Sequence, residues 1–140
     1  MKKLILTCTL FLSAFVSLKA THNIAGEITY TCVGGSTYEI LVTTYTNAGS
    51  QADRWEMQVF FGDGYDGIAD RVNGPLIGPN GETGPDGNEG YGVMLGSNYP
   101  NTKVNQYRIT HTYSSATYTI HIMDPNRIGG IENIPNSTTI

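Results

Sequence analysis

The chain has 140 residues, with 8 basic against 12 acidic side chains and a formal charge of −4. That balance excludes a nucleic-acid binder, which requires a cationic stripe, and the length suits one domain with a modest core. Thr, Tyr, Ile and Val dominate beyond the N-terminus and no long stretch repeats apolar residues at the helical period, so the predicted class is all-β.

Lys2 and Lys3 are followed by an apolar run of 13 residues, Leu4 to Val16, and by Ser17-Leu18-Lys19-Ala20, which ends on a small residue. This is the pattern of a secretory signal peptide over residues 1–20. The run is shorter than the about 20 residues that span a bilayer. No second apolar segment follows, so a secreted or cell-surface product without a transmembrane segment after cleavage is expected. Cys8 follows Ile5-Leu6-Thr7 and lacks the small residue that a lipidation box places before its cysteine. Cleavage removes three basic residues and no acidic one, which leaves 5 against 12 and a charge of −7. It also leaves Cys32 as the single cysteine; its alternating flanks predict burial as a small hydrophobe, with half of an intermolecular bridge as the alternative.

The first strand is expected to place Ile24, Ile28, Tyr30 and Cys32 on one face and Glu27, Thr29 and Thr31 on the other. Val33-Gly34-Gly35-Ser36 is a hairpin turn, because paired glycines accept the positive backbone angles it needs. The return strand is expected over Tyr38 to Thr46, and a third over Trp55 to Phe61 with Trp55, Met57, Val59 and Phe61 inward. Trp55, the sole tryptophan, is the expected core anchor. From Gly62 to Gly96 lie eleven of the seventeen glycines together with Pro75, Pro79 and Pro85, and the stretch reads as a long loop. Strands are expected again over Val104 to Tyr113 and Thr117 to Met123.

Two strings, Phe61-Gly62-Asp63-Gly64 and Thr110 to Ile120, resemble the paired signatures of a PKD-type immunoglobulin-like β-sandwich. Together with Thr21-His22-Asn23-Ile24-Ala25-Gly26-Glu27-Ile28-Thr29-Tyr30, Asp124-Pro125-Asn126-Arg127 and Asn133 to Ser137, they make nearly all of the mature chain similar to one family. It is the N-terminal region of the gliding-motility-associated, adhesin-like surface proteins that Bacteroidetes export through the type IX secretion system. The resemblance implies a non-enzymatic surface module serving adhesion, spacing or assembly, with other domains, surface proteins or glycans as partners. It implies a sandwich over residues 21–125 and the start of a following segment over 126–140 of a truncated chain. It also implies a second cysteine near Ala48 to pair with the first strand; Ala48 departs from that pattern and leaves Cys32 single.

The acidic glycine-rich segment is the best place for chemistry. Asp63, Asp66 and Asp70 lie within eight residues, interleaved with Gly64 and Gly67, and oxygen ligands on a flexible loop suit Ca²⁺. Their spacing is not that of an EF-hand, and the other reading is that Asp63 caps its own turn while the others solvate a loop. Asp86-Gly87-Asn88-Glu89-Gly90 is a second oxygen-rich cluster with a lesser claim. Tyr65, Tyr91 and Tyr99 fall in loop context where rings stack on sugars or partners, whereas Tyr30, Tyr38, Tyr113 and Tyr118 read as core or cross-strand pairs. His111 reads as structural and His121 as solvent-facing, and no Gly-x-Ser-x-Gly elbow occurs. One enzyme reading remains, a copper-dependent polysaccharide-active enzyme with His22 as the mature N-terminus, but cleavage after Ala20 leaves His22 second.

Overall fold

The computed structural model describes residues 23–50, 53–114 and 117–124. The expected signal peptide, His22 and the tail from residue 125 lie outside the described residues. Seven strands follow in chain order: β1 (Asn23–Gly34), β2 (Thr37–Asn47), β3 (Glu56–Phe60), β4 (Asp66–Arg71), β5 (Val93–Met94), β6 (Thr102–Thr112) and β7 (His121–Ile122). Every pairing is antiparallel and no helix occurs among the described residues. The all-β class holds, as a curled sheet of order β1-β2-β6-β4-β3-β7 with β5 beside β6, an architecture consistent with a β-sandwich.

The N-terminal hairpin forms as its glycines require: β1 and β2 pair from Asn23↔Thr46 to Gly34↔Thr37 around Gly35, whose φ is +57°. A narrow join lets the sheet curl. β4 meets β6 only at Asp70↔Arg108 and Arg71↔Tyr107, so the β3/β4/β7 part is free to turn relative to the long β1/β2/β6 ladder. The turn brings the two outermost strands toward each other. Asn23 of β1 donates a hydrogen bond to Asp124 just beyond β7, and Arg54 Nη2 donates to the same carboxylate at 3.0 Å.

Along the inner face of β2 and β6 the chemistry changes from one end to the other. Directly opposed residues in an antiparallel ladder share a face, and the pairs run Ile40↔Ile109, Val42↔Tyr107, Thr44↔Asn105 and Thr46↔Lys103. The apolar half closes with Met57, Val59, Phe61, Ala69 and Tyr113 into the core. In the polar half Thr44, Thr46, Lys103 and Asn105 are buried around Arg71, which is fully covered.

Four expectations need correction. Strand β4 lies inside the stretch read as loop. Gly67 is not a turn signal there: its missing Cβ admits Ile109 Cδ1 and the Phe61 ring, which a Cβ would meet at 2.7 and 3.3 Å. Trp55 precedes β3 and is half-buried against the polar half, while Tyr107 occupies the core. Cys32 is exposed, because β1 pairs with β2 alone and carries most of its length in solvent. Of the last expected strand only His121–Ile122 pairs, with β3.

Candidate functional site

The three aspartates expected to share a Ca²⁺ ion do not converge. Asp63 sits after β3, where its Oδ1 accepts from the Tyr65 amide (3.2 Å) and its Oδ2 lies 2.7 Å from His111 Nε2. The His111 bond draws its carboxyl below the usual carboxylate range, against a smaller opposing push from burial. Asp66 accepts from Gln58 Nε2 (2.7 Å) on the outer face of the β3/β4 ladder. Asp70 stands on that same face at the far end of β4, directly opposite Glu56. The one group of three acidic or metal-binding side chains brought together among the described residues is Glu56, Asp86 and Glu89, whose ligand atoms lie within 4.8 Å of one another. Asp86 and Glu89 belong to the second oxygen-rich cluster. Glu56 carried no local signal, since only the fold of the loop against β3 joins residues so far apart in sequence.

The glycine- and proline-rich segment after β4 is held down rather than splayed. Arg71 Nε donates to the Gly90 carbonyl, the Gly90 amide returns a bond to the Arg71 carbonyl (2.7 Å), and Gly92 N donates to the Asn73 carbonyl (2.9 Å). Asn73 is itself fixed to β6: its Nδ2 donates to the Val104 carbonyl and its Oδ1 accepts from Gln106 N, both at 2.9 Å. Beneath the loop, Arg71 Nη1 donates to Asp53 Oδ1 (2.9 Å) and Asn105 Oδ1 (3.0 Å), and Lys103 Nζ stands 2.7 Å from Asp53 Oδ2. The guanidinium carbon lies 4.5 Å over the Trp55 ring and Lys103 Nζ 4.3 Å over Tyr91. Two covered cations thus share one carboxylate and two aromatic faces. Burial pushes the Asp53 carboxyl up, but the bonds from Arg71 and Lys103 outweigh it and hold the group low. For Lys103 the order reverses: burial depresses the ammonium, and Asp53 offsets that only in part.

Tyrosine placement also differs from expectation. Tyr65 and Tyr99 are exposed as expected, but Tyr91 is wedged between Trp55, Lys103 and the backbone of Gly78, where no side chain beyond hydrogen fits. The open aromatic surface is made instead by tyrosines assigned to strand pairs. Tyr30, Tyr38, Tyr113 and Tyr118, with Thr117 and Ile120, line a groove of about 310 Å³ between the hairpin end and the segment before β7. The rings form a chain, Tyr30 to Tyr38 at 5.9 Å, Tyr38 to Tyr113 at 5.9 Å and Tyr113 to Tyr118 at 5.0 Å. Tyr113 is anchored in the core, whereas Tyr30 is 68% exposed at the mouth. Sequence alternation placed Tyr30 on the strand; it did not place the segment at residues 117–120 opposite.

No protein-family model matches the chain, and no curated protein or solved structure matches it significantly.

Proposed function

We propose that the chain is an immunoglobulin-like, PKD-type module of an exported cell-surface protein, non-enzymatic, and that it contributes adhesion by holding a glycan in the tyrosine groove. The groove carries this reading. Phenol rings offer apolar faces to the C–H surface of a pyranose and hydroxyls to its oxygens, at little conformational cost. A sugar ring fits a hollow of about 310 Å³. The curled antiparallel sheet supports the sandwich assignment. The secretory pattern at residues 1–20 supports export, and the resemblance to type IX secreted gliding-motility and adhesin-like proteins supports a place at the cell surface, with the neighbouring domains of a larger protein as further partners. The two described histidines support a structural rather than catalytic use: His111 is stacked 3.9 Å from Phe61 and bonded to Asp63, and His121 is stacked 4.9 Å from Phe60.

The test is binding of the chain to an array of immobilised oligosaccharides, repeated with Tyr30→Ala and Tyr118→Ala. Retention of at least one glycan class by the parent chain, with roughly tenfold or greater loss in both variants, is expected from the removal of a stacking ring. Retention that survives both substitutions places the contact elsewhere. Capture of a surface protein but no glycan, sensitive to the same variants, shifts the reading to spacing or assembly.

A further inference from the structure

We propose that Glu56, Asp86 and Glu89 form a Ca²⁺ site that fastens the glycine- and proline-rich loop to the start of β3. Glu56 is the first residue of β3, and Asp86 and Glu89 approach it from the loop, with their ligand oxygens within 4.8 Å of one another. Oxygens on opposite sides of a bound Ca²⁺ are about 4.6–5.2 Å apart, given metal–oxygen distances of about 2.3–2.6 Å. All three donors are hard carboxylates, which suit Ca²⁺ and not a soft transition metal.

A cluster of carboxylates on a surface calls for no ion, but Glu89 is not on the surface. It is 1% exposed, and its Oε2 is buried without a hydrogen-bond partner. A buried carboxylate with an unmet oxygen is among the costliest arrangements in a protein unless a cation meets it. The local backbone is shaped around that carboxylate. Asp86 N donates to Glu89 Oε1 at 3.3 Å, Gly87 N closes a turn on the Gly84 carbonyl at 3.2 Å, and Gly84 has no Cβ to collide with Glu89 Oε2, which it would meet at 2.2 Å. The ladder adds a further acid, since Glu56 lies directly opposite Asp70. Like charges in that position repel, and a divalent cation beside Glu56 reverses the sign of the interaction. The site involves none of the residues of the tyrosine groove and does not depend on the glycan reading.

The experiment is calorimetric titration and thermal melting of the chain after EDTA treatment, with CaCl₂ and separately with MgCl₂. Expected are heat of binding for Ca²⁺ at a single site and a melting point raised by about 5 °C or more at a hundredfold excess over Kd, since only the folded chain holds the ion. Asp86→Asn, at an exposed position that the fold does not need, should weaken binding at least tenfold. Glu89→Gln should abolish the rise and, in EDTA, melt at or above the parent, because it removes a buried charge that the metal-free chain leaves unmet. Absence of heat and of any shift with Ca²⁺ at millimolar concentration overturns the site. So does a rise of equal size in both variants, which would move the ion away from this cluster. Tighter binding of Mg²⁺ than of Ca²⁺ overturns the choice of ion.

Discussion

His111 Nε2 and Asp63 Oδ2 stand 2.7 Å apart, and the imidazole lies flat against Phe61 at 3.9 Å between ring centres. The contact ties the turn after β3 to the end of β6 and so joins the two characteristic strings of the sequence. Because the His111 bond holds the Asp63 carboxyl below its ordinary value, the folded chain takes up that proton less readily than the unfolded one. The stabilisation is therefore complete above the unfolded value of about 3.9 and is lost as the pH falls through the lower folded one. Melting points of the parent and Asp63→Asn, measured from neutral pH into acid, should differ at neutrality and converge at the acid end. A constant gap would show that the carboxylate's charge is irrelevant.

The turn itself separates two glycines that look alike in sequence. Gly62 and Gly64 both have positive φ, +86° and +94°, but a Cβ on Gly62 would lie 2.4 Å from the Thr119 carbonyl oxygen, while one on Gly64 meets nothing within 4 Å. Gly64→Ala should cost about 1–2 kcal/mol, the strain of a left-handed alanine. Gly62→Ala should cost distinctly more, since backbone must also move. Denaturant midpoints of the two variants give the comparison, and equal losses would contradict the close approach of the Thr119 backbone.

Arg71 is the second point of leverage. Its side chain is fully covered and serves Asp53, Asn105, the Gly90 carbonyl and the Trp55 ring at once. Arg71→Met should destabilise the chain by about 3 kcal/mol or more, since it strips the partners of a buried ion pair and leaves their oxygens unmet. Arg71→Lys should recover little of the loss, because one ammonium cannot replace the planar fork. Amide hydrogen exchange should rise first at Gly90 and Gly92, the loop positions pinned beside it. A chain that melts unchanged with methionine at this position would contradict the network.

What could be read in advance was local. Gly34-Gly35 announced a hairpin because the turn needs positive φ within two residues, and Met57, Val59 and Phe61 announced an inner face because alternation is a property of one strand. Beyond one strand the reading failed in three physical ways. A glycine in a glycine-rich stretch signals loop, whereas Gly67 makes room for Ile109 and Phe61 across the sheet. The size and apolarity of Trp55 point to the core, but hydrophobicity does not say that a buried Arg71 stands beneath the ring. The acids were grouped by proximity in sequence, which joined Asp63, Asp66 and Asp70 and could not reach Glu56, whose cluster with Asp86 and Glu89 exists only once the loop closes on β3. The tyrosine groove has the same origin, since Tyr30 and Tyr118 line one hollow only once the chain has folded.

Tyr107 gives the sharpest spectroscopic test of the core. It is buried at the boundary between the apolar and polar halves, its hydroxyl donates to the Arg54 carbonyl at 2.9 Å, and burial pushes its phenol up to about 12. Burial raises Tyr91 and Tyr113 in the same direction. The folded state thus keeps the Tyr107 proton over a range where the unfolded chain releases it. That stabilisation is full below about pH 10 and is lost as the pH rises toward the folded value, a loss on the order of 3 kcal/mol. Phenolate absorbance should show a last group ionising only as the fold gives way. Tyr107→Phe should lower neutral stability by about 1 kcal/mol through the lost hydrogen bond, yet flatten the alkaline decline, because no buried phenol remains there to ionise. Complete titration of every tyrosine near pH 10, with the fold intact, would place Tyr107 in solvent and contradict the core.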